Sequence, residues 1–339
     1  MHYHYLGRTG LKVSTFSLGT WITFNNHLSS EDAERLIDYA FHQGINLFDT
    51  AEIYGEGRVE TILGRIFHSL KIPRERFLLC TKVFWGGNHP TEIGLNRKHL
   101  FEGCHRSLKR LQVDYIDLYL CHRPDPHTSI EETVIGMNLL IQQGKILYWG
   151  TSEWPNELIF EAYSIAKQLH LLPPSIEQFE YNMFCRENGE KNYPLIFQKT
   201  GIGNLITMPL ANGILAGRYN ASAPVNSRAT LATHPYFNNV INSEGGKNKI
   251  SIAIQLEPIA QKLGLTLAQL VLCWCLENKY INSIILGVSK ISQLQENLQT
   301  LSLINDLLKQ QTMVDIENIL NNKPIKTYEP TYAEVVAES

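Results

Sequence analysis

Four polar side chains recur about one strand–helix unit apart along this chain: Asp49 with Tyr54, then Lys82, then His122. Each ends or follows a short apolar run: Asn46-Leu47-Phe48-Asp49, then Phe77-Leu78-Leu79-Cys80-Thr81-Lys82, then Tyr115 through Leu120 leading into Cys121-His122. In isolation a phenol titrates at about 10 and a lysine ammonium at about 10.4. An ammonium held beside a phenol favours the phenolate and lowers the phenol's pKa. A carboxylate on the far side keeps that ammonium charged and in place. An Asp49–Lys82–Tyr54 relay is therefore expected to make the tyrosine a usable proton donor near neutral pH. His122 would add a second hydrogen bond to the same substrate oxygen, which is what a carbonyl needs as charge builds on it. No side chain supplies a hydride, so such chemistry draws on a nicotinamide.

Singly, each residue has a plainer explanation. Asp49 can cap the turn at Thr50, Tyr54 can pack on the helix starting near Val59, Lys82 can be a solvated strand end, and His122 a hydrogen-bonded core histidine. Their shared placement at the carboxyl ends of successive strands argues for chemistry, because that rim holds the active site of a parallel α/β barrel.

The elements that must position them alternate. Strand-like runs fit at Phe16–Thr20, Leu47–Phe48, Phe77–Val83, Tyr115–Leu120, Ile146–Gly150, Ser175–Gln178, Leu205–Pro209 and Ser283–Gly287. Helical stretches fit at Ser30–His42, Val59–Leu70, Arg97–Leu111, Ile130–Gln143 and Glu157–Leu169, then Lys249–Leu263 and Leu267–Glu277. Ser30 is expected to cap the first helix and Thr128 or Ser129 the fourth. Eight strands separated mostly by helices predict an α/β fold, a (β/α)8 TIM barrel with right-handed crossovers and helices outside. A doubly wound open sheet is the runner-up. Against it, the first strand–helix turn, Gly19-Thr20-Trp21, lacks the G-x-G-x-x-G fingerprint.

Tyr3–Leu6 and Leu11–Ser14 flank Gly7-Arg8-Thr9-Gly10 and read as an N-terminal β-hairpin plugging the barrel floor. Gly213–Gly246, between the seventh and eighth strands, reads as a long loop of the kind that forms a lid or binding segment. A C-terminal helical extension follows the eighth strand. The reading is one domain over residues 1–339, with 322–339 a tail.

Of the 339 residues, 44% are hydrophobic and 19% charged, with a net charge of −3, the balance of a globular protein. With a pI of about 6.5, no electrostatic footprint favours nucleic acid. The N-terminus carries no apolar signal core, and no apolar run approaches the roughly 20 residues of a spanning helix, so no membrane insertion and a cytoplasmic location are expected. Cys80, Cys104, Cys121, Cys185, Cys273 and Cys275 are scattered without C-x-x-C pairs, which argues for reduced thiols and no metal site.

Longer stretches carry a family likeness. Gly44-Ile45-Asn46-Leu47-Phe48-Asp49-Thr50-Ala51-Glu52-Ile53-Tyr54-Gly55, then Lys82, then His122-Arg123-Pro124-Asp125 resemble the aldo-keto reductases. Gly19-Thr20-Trp21, Phe84-Trp85-Gly86-Gly87, Tyr148-Trp149-Gly150-Thr151-Ser152, Glu180-Tyr181-Asn182-Met183-Phe184 and Asn322-Lys323-Pro324 are similar to the potassium-channel β-subunit branch and its bacterial relatives. The resemblance covers nearly the whole chain. It implies a (β/α)8 barrel that reduces aldehydes and ketones with NADPH, with Tyr54 as general acid, Lys82 and Asp49 tuning it, and His122 orienting the carbonyl. NADPH/NADP+ contacts would fall on Thr20, Trp21, Asp49, Ser152, Gln178, Pro209, Leu210, Ala211, Arg218, Arg228, Gly287, Ser289, Gln293, Glu296 and Asn297. The segment Gly287-Val288-Ser289-Lys290 before a helix independently suits a phosphate, and Arg218 and Arg228 can clamp one.

An aromatic mouth of Trp21, Phe24, Phe84, Trp85 and Trp154 would suit a small carbonyl substrate. The resemblance also implies a homo-oligomer, fourfold in some relatives, and a membrane-channel partner. With Met1 next to the hairpin, a pore-plugging N-terminal extension is not expected. The alternative function is therefore a cofactor-sensing channel subunit with slow or vestigial turnover, while an idle scaffold conflicts with the intact tetrad.

Departures from the branch matter too. His122 stands where channel subunits tend to carry Asn, which favours turnover. Thr207-Met208 stands where the branch has Trp-Ser, so the ring that would stack on nicotinamide is absent. Such a contact contributes about 0.5–1.5 kcal/mol beyond area burial, so cofactor affinity is expected to be reduced several-fold. Glu153 replaces an Arg after Ser152, and His27 replaces a Gln.

Overall fold

The computed structural model describes residues 1–21, 24, 28–220, 235–303 and 308–325. Its first two strands, β1 (Tyr3–Tyr5) and β2 (Lys12–Ser14), form an antiparallel hairpin. Eight further strands follow: β3 (Phe16–Gly19), β4 (Leu47–Asp49), β5 (Leu78–Val83), β6 (Ile116–Cys121), β7 (Ile146–Ser152), β8 (Ile176–Glu180), β9 (Gly203–Thr207) and β10 (Ser283–Leu286). All eight pair in parallel and in chain order, and β10 closes on β3, so the sheet is a (β/α)8 TIM barrel. All eight predicted strands are present, and the open doubly wound sheet is excluded.

Period-two alternation sorts these strands into two layers. Leu47, Cys80, Leu118, Leu120, Ile176, Leu205 and Ile285 point inward and fill the cylinder. Phe48, Leu79, Val83, Tyr119, Cys121, Trp149, Phe179 and Ile206 point outward into the larger core beneath the helices. Asp49, Lys82, Ser152, Gln178 and Thr207 share the inward parity one step beyond the apolar layer. The same alternation puts Cys121 in the outer core, away from any cavity. All six cysteines are unbridged, and all but Cys185 are buried.

The hairpin closes the floor. Leu6 and Val13 join the inner apolar layer, with Leu11 packed against it. Gly7 lies so close to β9 that a Cβ there would sit 2.3 Å from the carbonyl oxygen of Gly201. Arg8 N–H donates to that same oxygen at 2.8 Å.

Helices α1 (Ser30–His42), α2 (Arg58–Leu70), α3 (Arg97–Leu111), α4 (Ile130–Gln142) and α5 (Asn156–Gln168) cover the first half of the barrel, close to their expected bounds. Ser29, not Ser30, caps α1: its hydroxyl accepts from Asp32 N at 3.1 Å, because an N-cap bonds two or three positions ahead and Glu31 and Asp32 then fall in the first turn. Ser129 caps α4 the same way.

The second half adds α6 (Pro194–Thr200), which periodicity did not reveal, then α7 (Pro235–Asn242), α8 (Glu244–Lys262), α9 (Leu267–Leu276), α10 (Ile291–Gln299) and α11 (Gln310–Leu320). The interval expected as loop is thus partly helical. Gly245 and Gly246 sit inside the first turn of α8 because Ser243 caps it, accepting from Gly246 N at 3.1 Å. Nearly all of α9 is buried. Among the described residues no single helix is long and apolar enough to cross a membrane. The α8–α9 pair, bent by 88°, passes such a test only jointly.

Gly150 in β7 leaves no room for a side chain: a Cβ would lie 2.3 Å from the carbonyl oxygen of Ile176 on β8. That neighbour is backbone and cannot swing away. Gly150→Ala should therefore cost about 1–3 kcal/mol in urea denaturation. Gly10→Ala, with nothing within 4 Å of its Cβ, should stay within about 0.5 kcal/mol.

Candidate active site

Barrel stagger decides which rim residues meet. Asp49 is the register partner of Cys80, and Lys82 lies two residues further along β5, still on the inward parity. Strand tilt carries Lys82 over the end of β4. Its ammonium is buried, 1% exposed, and its three protons have three acceptors. They are Asp49 Oδ1 at 2.7 Å, the carbonyl of Thr50 at 2.7 Å and the hydroxyl of Tyr54 at 3.4 Å. The other oxygen of Asp49 accepts from Gln178 Nε2 at 2.8 Å, so the carboxylate is held from β5 and β8 together. Thr50 therefore receives no cap from Asp49.

Tyr54 follows the β4 end, and its phenol closes over the lysine, with Nζ 5.0 Å from the ring centre. The ring is flanked by Trp21 at 6.3 Å and by His122 at 6.0 Å. Burial raises the Tyr54 pKa above its ordinary value, and the opposing pull of Lys82 does not overcome it. This corrects the expectation that the ammonium would bring the phenol down. In the structure the hydroxyl is firmly protonated at neutral pH. Burial alone would lower the pKa of Lys82, but Asp49 and then Tyr54 outweigh it and raise the pKa, so the ammonium stays charged.

His122 follows β6, its N–H bonded to the carbonyl of Val83. Burial, with the charges of Lys82 and Arg123 adding, holds its imidazole well below the usual 6.5, so the ring is neutral. Neither ring nitrogen hydrogen-bonds to a described residue, and Nδ1 is buried. The proton of Tyr54 is likewise uncommitted among the described residues. Two neutral donors thus face one space, with Trp85 packed edge-on to His122 at 5.1 Å.

That space is a cavity of about 680 Å3. Trp21, Asp49, Tyr54, Trp85, His122, Ser152 and Gln178 line it around β3–β8. Pro209, Leu210, Arg218, Gly287, Gln293, Glu296 and Asn297 line it around β9 and β10. Other expected contacts lie elsewhere. Thr20 is buried beneath the cavity, where its hydroxyl and N–H both donate to the carbonyl of Asp49. Ala211 is also outside the lining. Ser289 turns its N–H and hydroxyl to Gln293 Oε1 instead of the cavity. Arg228 and His27 lie outside the described residues.

Three aromatic residues expected at the mouth belong to or pack against the outer core: Phe84, partly buried, lies against it and outside the cavity lining. Phe24 is 3% exposed and joins the apolar cluster under the helices. Trp154 is 2% exposed. The left-handed backbone of Glu153 (φ 56°) turns the chain off β7, and Trp154 is then tied behind the sheet, its N–H to Glu177 and its carbonyl to the Tyr193 hydroxyl.

The residue types alone did not reveal Ile53, Arg123, Asn212 and Gly213, which line the cavity. Thr207 lines it too, as the inward parity of β9 would have predicted. Glu52 was also missed: its buried carboxylate accepts from Phe84 N at 2.8 Å and fixes the loop that carries Trp85. No spacing signal marks it.

The Aldo/keto reductase family model matches residues 15–321. The chain belongs to that family. It is therefore an oxidoreductase of carbonyl compounds that uses a nicotinamide cofactor. The cavity fits such a group: it is large enough for a dinucleotide, it joins the uncommitted donors Tyr54 and His122, and it carries the half-buried cation Arg218 on its far wall.

The neutral state of His122 is testable. The unfolded chain takes up a proton at this residue near pH 6.5, whereas the folded chain resists it. The contribution of His122 to stability is thus complete above that pH and is lost as the pH falls toward the folded value. Ring NMR at pH 6 should show an uncharged His122, and an imidazolium signal there would contradict the geometry.

Proposed function

We propose that this protein is an NADPH-dependent reductase of aldehydes and ketones, working in the cytoplasm, with Tyr54 as general acid. The observation that carries the reading is the fully bonded Lys82 ammonium holding the Tyr54 hydroxyl as acceptor, which leaves that hydroxyl's own proton free to be donated. Bound NADPH supplies the hydride. The chain's own residues do the rest. His122 and Tyr54 converge on the carbonyl oxygen, and Tyr54 passes its proton to that oxygen as it becomes an alcohol. Lys82 then stabilises the phenolate left behind, and Asp49, itself held by Gln178, keeps the ammonium charged and in place beside it. Trp21 and Trp85 supply apolar walls for the substrate.

Preference for NADPH over NADH rests on Arg218 at the cavity and on Arg228 from the sequence. The likeness to the channel β-subunit branch supports a fourfold assembly and channel docking only as extensions of this reading.

Purified protein should oxidise NADPH when given 4-nitrobenzaldehyde. Tyr54→Phe should lower turnover by roughly a hundredfold to ten-thousandfold while cofactor titration still shows binding. If the wild type binds NADPH but reduces no member of a broad carbonyl panel, the reading fails and a cofactor-sensing role replaces it. Arg228→Ala should bring NADPH and NADH affinities together, and unchanged affinities would move the phosphate contact elsewhere.

A further inference from the structure

The cavity wall beside His122 carries a cation that the reduction chemistry does not use. Arg123 is half-buried and lines the cavity. One nitrogen, Nη1, donates to the carbonyl of His122 at 2.5 Å and to the Ser152 hydroxyl at 3.4 Å. Nη2 and Nε have no hydrogen-bond partner among the described residues, and no described carboxylate comes within 4.0 Å of the guanidinium.

Outside the cavity the half-buried Arg74, Arg106 and Arg110 and the buried Arg186 pair with acids, Asp117, Glu92, Glu60, and Glu190 with Glu317, whereas Arg218 on the cavity wall, like Arg123, has no described carboxylate within 4.0 Å. A cation withdrawn from water without a counter-ion is costly unless an anion completes it. Glu153 shares this wall but does not complete it. Its Oε1 accepts from Glu180 N at 2.6 Å, and burial pushes its carboxyl up, with the Arg123 charge pulling only partly back.

The position of the guanidinium relative to the carbonyl donors is specific. The Trp85 ring lies 5.1 Å from the His122 ring and 5.9 Å from the Arg123 guanidinium, so one aromatic side chain adjoins both. A flat or short substrate lying on Trp85 would reach the Tyr54–His122 pair at one end and the open fork of Arg123 at the other.

We propose that Arg123 selects carbonyl substrates bearing a carboxylate, such as aryl or short-chain aldehyde acids and oxo acids. The guanidinium fork receives the carboxylate while the carbonyl lies at Tyr54. The proposal rests on the reductase reading of the same site. A planar fork matches a carboxylate with two parallel hydrogen bonds, which an ammonium cannot reproduce.

The test compares 4-carboxybenzaldehyde with its methyl ester in the wild type, Arg123→Met and Arg123→Lys, each first shown to bind NADPH. The wild type should prefer the carboxylate in kcat/KM by about tenfold or more. The preference should vanish in Arg123→Met and survive in part in Arg123→Lys. Equal use of both substrates by the wild type, or an unchanged ratio in Arg123→Met, overturns the proposal. So does a loss in Arg123→Met that falls equally on both substrates together with weakened NADPH binding, since the guanidinium would then serve the cofactor. If neither aldehyde is reduced, the reductase reading fails and calorimetry with 4-carboxybenzaldehyde decides separately. Binding weakened about tenfold in Arg123→Met upholds the anion site, and absent or unaltered binding overturns it.

Discussion

A single buried ammonium organises this molecule's chemistry. Lys82 is buried, and an unpaired charge at that depth would cost several kcal/mol. Its three protons therefore need fixed acceptors, and the barrel provides them from the end of β4 and the turn that follows. That demand fixes Asp49 and brings in Gln178 from β8 across the cylinder. It also holds Tyr54 over the opening. The same pairing that makes the charge tolerable makes the hydroxyl's position definite.

Electrostatics at the rim then follow from burial more than from any single neighbour. The phenol is raised because desolvation exceeds the influence of the ammonium. The imidazole is lowered because desolvation and two cations act in the same direction. Both groups end up neutral near pH 7, and each in that state still carries a proton it can donate to a carbonyl oxygen.

Much of this was legible in the residues. The eight strands, the hairpin and the Asp49–Tyr54–Lys82–His122 set follow from alternation and spacing, because a two-residue period and a strand–helix repeat write themselves directly into the chain. The misreadings have physical causes. Ser29 and Ser30 are adjacent and chemically alike, and only the bond to Asp32 distinguishes the cap. The Gly245-Gly246 pair reads as a break, yet a serine cap starts a helix across it. Trp154 was placed at the mouth by type alone, and the left-handed turn at Glu153 sends it behind the sheet. The sign of the shift at Tyr54 needed the burial of the ring, which sequence spacing does not state. Arg123 stood within a recognised motif, but its open fork is visible only in the structure, where the neighbouring Glu153 bonds Glu180 N instead.

The hairpin beneath the barrel has a consequence for traffic. Leu6, Val13 and Leu11 close the lower end, and in the largely apolar inner layer above them the polar pair Ser17 and Ser283 is spent on a bond to each other. Solvent can thus approach the phenol from one side only. Each proton that Tyr54 gives away must be restored through the same opening by which the alcohol departs, so recharging the acid and clearing the product are obliged to share a gate.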